Sequence, residues 1–135
     1  MKTKWYRTDE KENTIDYLEA AAVFLATEQE HKWKWLTIAL HGALYGSALL
    51  AIQGTDPDRV RKERRVISLW QALERCQGDE YMLQNVGSRR LAVSDSERSS
   101  INKLSSGLRN RFEHFTPTHW SIEVSGAPRH REWCL

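Results

Sequence analysis

Cysteine is scarce in this chain: Cys76 and Cys134 are the only two in 135 residues, and they lie far apart. Such a pair supplies neither the disulfide framework of a small secreted domain nor a spaced zinc-ligand pattern. A secretion signal is also missing, because Met1-Lys2-Thr3-Lys4-Trp5-Tyr6-Arg7 runs directly into acidic residues with no apolar core. Long apolar runs are limited to one, Leu36 to Ile52, and Thr37, His41, Tyr45 and Ser47 interrupt it. At 17 residues this run only reaches the short limit for a membrane span. It reads better as a buried central helix, so no membrane partner is expected and the cytoplasm is the default location. Glycine-rich phosphate loops, nucleophile elbows and supported cysteine–histidine pairs are absent from the sequence. So are internal repeats, low-complexity tracts and linkers, which leaves a single domain over residues 1–135.

The composition that remains is that of an ordinary globular protein, 40% apolar and 28% charged. A net charge of +2 is too small to announce a nucleic-acid protein. Its distribution says more. Residues 1–55 hold six basic and seven acidic groups, and residues 56–135 hold fourteen and eleven. Any RNA binding would therefore be local and belong to the second half. Six tryptophans are many for this length. Trp33, Trp35, Trp70 and Trp120 sit beside apolar patterns and read as core or interface anchors.

The patterning is helical. Residues 1–13 are charged and patternless, and Thr14 can cap a helix that carries Ile15, Leu18, Ala22, Leu25 and Ala26 to about Glu30. After a basic aromatic junction, His31 to Trp35, a second helix runs to about Gln53 and stops at Gly54. Gly42, Ala43, Gly46, Ser47 and Ala48 give it a small-residue strip suited to close approach by another helix, from this chain or a second copy. His41, within that strip, reads as a satisfied interface histidine. Arg59, Arg61, Lys62, Arg64 and Arg65 read as solvated surface. Ser68 with Gln71, and Ser94 with Glu97, are capping-box patterns that open two more helices. The first buries Leu69, Leu73 and Cys76 and ends at Gly78. The second presents Ile101, Leu104, Leu108 and Phe112 as a core stripe and ends by Phe115 or Thr116, ahead of Pro117. Trp120, Ile122 and Val124 then alternate with polar residues, as in a short extended segment.

The last of these helices carries the chemistry. Arg109-Asn110-Arg111-Phe112-Glu113-His114 places Asn110 and His114 four apart on one face, with Arg109 about 100° away and long enough to reach the same cleft. Arginine offers a permanent cation with a planar fork of donors, and histidine exchanges a proton near neutral pH. A position in the last helical turn favours the protonated imidazole. The same residues have a plainer reading, in which Arg109 pairs with Glu113 across one turn and His114 caps the helix. His114 and His119 with Glu113 or Glu123 match no strong metal-ligand spacing.

Leu108-Arg109-Asn110-x-Phe112-x-His114-Phe115-x-Pro117-x-x-Trp120-Ser121-Ile122-Glu123 resembles the signature of a bacterial branch of the HEPN superfamily. The likeness continues in His41-Gly42-Ala43-Leu44-Tyr45-Gly46 and in Gln53-Gly54-Thr55, and touches about three quarters of the chain. The resemblance implies an all-α fold, an antiparallel bundle of four or five helices that pairs as a homodimer with two motifs facing one cleft. It also implies a metal-independent endoribonuclease of toxin–antitoxin or phage-defence type, without cofactor, or a non-catalytic module that binds RNA, a nucleotide or a partner protein such as an antitoxin. Carried over by position, Arg109, Asn110 and His114 are the catalytic residues. Arg111 is a candidate to hold the RNA backbone. Family members carry further helical sequence after the motif found here at Gly126-Ala127-Pro128, whereas this chain reads Arg129-His130-Arg131-Glu132-Trp133-Cys134-Leu135. A bundle lacking its last helix is the corresponding expectation.

Overall fold

The computed structural model describes residues 2–82, 87–115 and 117–125. The chain is mostly helical, as expected of an all-α protein, with one small two-stranded hairpin. Helix α1, Glu10–Ala26, begins five residues before the expected start. Asp9 is its cap, accepting from the Glu12 backbone N–H at 2.7 Å, and Glu10 and Glu12 in the first turn suit the positive end of the helix dipole. Thr14 is therefore not the cap. It is buried within the helix and donates its hydroxyl to the Glu10 carbonyl at 2.7 Å. The helix stops at Ala26 rather than near Glu30, where Thr27 turns extended and donates its N–H to the Phe24 carbonyl.

Helix α2, Lys32–Gln53, ends where Gly54 takes a positive φ of 55°. It is long and apolar enough to cross a membrane by length and composition, and here it contributes to both hydrophobic cores of the described chain. It runs antiparallel to α1. Phe24 stacks with Trp35, the Tyr17 ring lies against Gly42, and Thr14 lies against Gly46. A methyl on Gly42 would come within 2.6 Å of the Tyr17 ring, and one on Gly46 would collide with the Thr14 hydroxyl. The two glycines of the small-residue strip are thus occupied by α1 of the same chain, whereas Ala48 packs in the other core and Ser47 is exposed.

The inward face of α1 differs from the expected one. Tyr17, Ala20, Ala21, Phe24 and Leu25 pack with Trp33, Leu36 and Ala39, while Ile15 and Leu18 stay 45% and 58% exposed and Ala22 is also exposed. Residues 20–26 are apolar all round, so periodicity alone did not choose a face. Large rings at Tyr17, set against Gly42, and Phe24, stacked on Trp35, bury more surface than Ile15 and Leu18 would.

The second core lies at the other end of α2. A 3-10 turn, Pro57–Val60, leads into β1, Arg61–Lys62, and β2, Arg65–Val66, with Arg61 opposite Val66 and Glu63 turning the chain at φ 60°. Helix α3, Leu69–Cys76, starts on the expected Ser68–Gln71 capping box, and α4, Asp79–Met82, follows. Ala48, Ile52, Val60, Ile67, Leu69, Ala72, Leu73, Cys76 and Met82 form its buried interior. The reading of residues 59–65 as uniformly solvated needs one correction. Arg59 turns inward, donates from Nε to the Ile52 carbonyl at 2.6 Å and from Nη2 to the Tyr81 carbonyl, and so helps satisfy the C-terminal end of α2. Its cationic head and that of Arg75 lie 5.1 and 4.9 Å from the Tyr81 ring. Arg61, Lys62, Arg64 and Arg65 are exposed, as expected.

Helix α5, Asp95–Asn102, opens on the second expected capping box, Ser94 with Glu97. It passes into a π-helical stretch, Lys103–Arg109, and then into the short α6, Asn110–Glu113. Arg98 sits over the Trp70 ring and Ile101 packs on the second core. The expected stripe of Ile101, Leu104, Leu108 and Phe112 is only half-buried, and Ser105 is the most enclosed residue of this unit. The wider π turn changes the angular step, so a stripe spaced at 3.6 residues drifts off the contact face. Phe112 meets Trp120 edge-on at 4.8 Å. Around Trp120, Ile122 and Val124 the chain forms no strand pairing among the described residues. Gly126-Ala127-Pro128, the tail after it and Cys134 lie outside the described residues.

Candidate functional site

Ser105, Arg109 and Glu113 are spaced four apart along the π-helical stretch and α6, and His41 comes towards them from the middle of α2. The His41 Nε2 lies 3.5 Å from the Ser105 hydroxyl. Arg109 donates from Nη1 to Glu113 Oε2 at 2.8 Å, with the two side chains 28% and 37% exposed. The guanidinium thus runs from interior to surface. Its Nε–H is buried and, among the described residues, has no hydrogen-bond partner. A buried donor without an acceptor is costly, so a polar group that can reach it is favoured there.

His41 is half-buried, and burial is the largest influence holding its proton affinity below the ordinary histidine value of 6.5. The Arg109 cation acts in the same direction and the Glu113 carboxylate against both. The ring is therefore neutral at pH 7, one nitrogen able to donate and the other to accept. Tyr45, one turn along α2, has its ring 6.2 Å from that of His41. Its hydroxyl donates to the Ile67 carbonyl, and burial raises its pKa.

The four sequence-chosen residues are distributed as follows. Arg109 is in this cluster, bound to Glu113 as the plainer reading had it. Asn110 is half-buried at the start of α6, and its carbonyl accepts the His114 N–H at 2.8 Å. Arg111 is exposed with its guanidinium 5.7 Å from the Trp120 ring. His114 lies just past α6 rather than in its last turn, with extended φ −110° and ψ 116° and an exposed side chain. A shared helical face with Asn110 therefore does not describe it, because the chain leaves the helix at His114 and the side-chain direction changes with the backbone.

Two members of the cluster were not singled out as functional: His41 and Ser105. Signals for both were present. His41 is the one charged residue or histidine between Leu36 and Ile52, and Ser105, Arg109 and Glu113 form a polar i, i+4 row beside the apolar one. Among the described residues no three histidine, cysteine, aspartate or glutamate side chains come together as metal ligands. Compared with protein-family models, with curated proteins and with solved structures, the chain finds no match.

Proposed function

We propose that this chain is a HEPN-type endoribonuclease that cuts RNA without a metal ion, as a homodimer of helical bundles. The reading is supported by one observation above others: Arg109 holds a partly buried cation, with an orphaned Nε–H, where a π-helical stretch ends. π turns recur at functional sites, and a pre-placed cation in a low-dielectric setting is suited to the extra negative charge of a phosphoryl transition state. In the reaction, the RNA 2′-hydroxyl loses its proton and its oxygen attacks the adjacent phosphorus. The bond to the 5′-oxygen breaks, that oxygen takes up a proton, and the products are a 2′,3′-cyclic phosphate and a free 5′-hydroxyl. His114, exposed at the helix end, carries one of these proton transfers. Arg109 stabilises the phosphate, Asn110 orients it, and Arg111 holds the backbone of the RNA.

The test is incubation of labelled single-stranded RNA with wild type, Arg109→Ala and His114→Ala in excess EDTA, followed by analysis of product ends. Wild type should leave cyclic-phosphate ends, and either variant should lose about 10²–10⁴-fold in rate. An i, i+4 pair such as Arg109–Glu113 stabilises a helix by only about 0.3–0.5 kcal/mol, so folding should survive both changes. Full activity of His114→Ala would sink the assignment.

A second reading is favoured by a specific contact: the partner of Arg109 in the free chain is Glu113. In that reading the chain is a non-catalytic module of the same superfamily that binds RNA, a nucleotide or a partner protein. Expression separates the two. A nuclease slows the growth of its host and needs an antitoxin, whereas a binding module does neither. For either reading the proposed location is the cytoplasm.

A further inference from the structure

His41 comes from a different helix to the segment that carries the proposed phosphate-binding arginine, and there it meets Ser105, four residues before Arg109. On the outer side Glu113 holds Nη1 at 2.8 Å. Away from that contact the Arg109 Nε–H is buried without a partner among the described residues, and Nε2 of His41 lies 3.5 Å from Ser105 Oγ. We propose that His41 is a positioning residue for Arg109: its neutral ring forms the floor on which the guanidinium rests, and a charge on that ring drives Arg109 out of place. This inference rests on the reading of Arg109 as the group that meets the RNA phosphate.

Arg109 must turn its donors from Glu113 towards an incoming phosphate. When it does, the floor beneath it decides where the guanidinium comes to rest. A neutral imidazole leaves Arg109 as the local cation. A protonated imidazole repels the guanidinium and competes for the Glu113 carboxylate. The charged and titratable groups around His41 are Arg109 from the π-helical stretch, Glu113 from α6, and Tyr45 from its own helix. Burial and Arg109 both disfavour a second cation here, and Glu113 opposes them. His41 accordingly stays neutral at pH 7 and takes its proton only below the ordinary histidine range. The effect on Arg109 therefore belongs to the acid side of a pH profile.

Two measurements test the proposal. The first is an NMR titration of the His41 ring in wild type and in Arg109→Gln, which needs no RNA. Removing the cation should move the His41 titration to higher pH, and an unmoved midpoint overturns the positioning role. The second is the pH dependence of RNA cleavage in His41→Gln and His41→Lys, with circular dichroism as the check on folding. His41→Gln, which cannot titrate, should make the acid-side fall in kcat shallower and leave KM near the wild-type value. His41→Lys imitates the charged ring and should lower kcat about tenfold or more at neutral pH through misplacement of Arg109. An acid limb in His41→Gln that superimposes on that of wild type overturns the proposal. Absence of cleavage by wild type at every pH removes the ribonuclease reading and the positioning role together, whereas an unmoved His41 titration removes the positioning role alone.

Discussion

Single residues tie this fold together at points where two elements meet. Tyr45 is one: its hydroxyl donates to the Ile67 carbonyl, linking the middle of α2 to the connection between β2 and α3. Cys76 is another, buried with its thiol towards the Ala48 carbonyl at 3.6 Å and its proton affinity raised by burial. Tyr45→Phe keeps the ring and deletes only the donor, leaving a carbonyl without its partner. The expected cost is about 1 kcal/mol, the usual net worth of one such bond, read as a lower midpoint in urea with an unchanged slope. An unchanged midpoint would mean that water serves Ile67 as well as Tyr45 does. Local residue chemistry of this kind was partly legible in the sequence. Both capping boxes form as expected, because Ser68–Gln71 and Ser94–Glu97 act across three residues and need no knowledge of the rest. The His41–Ser105 approach spans 64 positions, and no local pattern encodes a meeting at that separation.

Elements proved legible where a single face or stop was available, and illegible where the chain offered two. Helix α2 ends at Gly54 and α3 buries Leu69, Leu73 and Cys76, since each has one clear terminator or one apolar side. The run Ala20-Ala21-Ala22-Val23-Phe24-Leu25-Ala26 offers apolar residues in every direction, and the contacts of Tyr17 with Gly42 and of Phe24 with Trp35 set which face lies inside. This choice leaves Ile15, Leu18 and Ala22 as an outward stripe at helical spacing. The proposed homodimer has a use for such a stripe, as the two glycines of the small-residue strip are already covered by α1. Leu18→Glu tests this directly. Leu18 is 58% exposed in the single chain, so a charge there should cost the monomer little, within about 0.5 kcal/mol as for most surface substitutions. Sedimentation should show a dimer for wild type and a monomer for the variant, with the same thermal midpoint at low concentration. A wild-type monomer removes the dimer, and a dimeric variant places the contact on another face.

For the molecule as a whole, the distribution of burial separates a stable scaffold from the element that carries the candidate site. Ile52, Ile67, Ala72 and Leu73 are 2% exposed or less, and all belong to α2, α3 and the segment joining them. From Asp95 to Glu113 the one buried residue is Ser105, and the apolar side chains of that unit are only half-covered. Its attachment relies on Ile101 against the second core, Arg98 over Trp70, and the polar meeting with His41. A unit with so little buried apolar surface opens without the rest of the chain unfolding. Native-state hydrogen exchange should therefore find amides of α5 and the π-helical stretch at least about tenfold less protected than those of α2 and α3, a gap of about 1.4 kcal/mol. Equal protection would mean that the C-terminal helices fold and unfold with the core. The expected difference bears on the proposed function, in which an arginine held by Glu113 changes partners to meet a phosphate. Its place on a lightly anchored helix would let that exchange happen without disturbing either core.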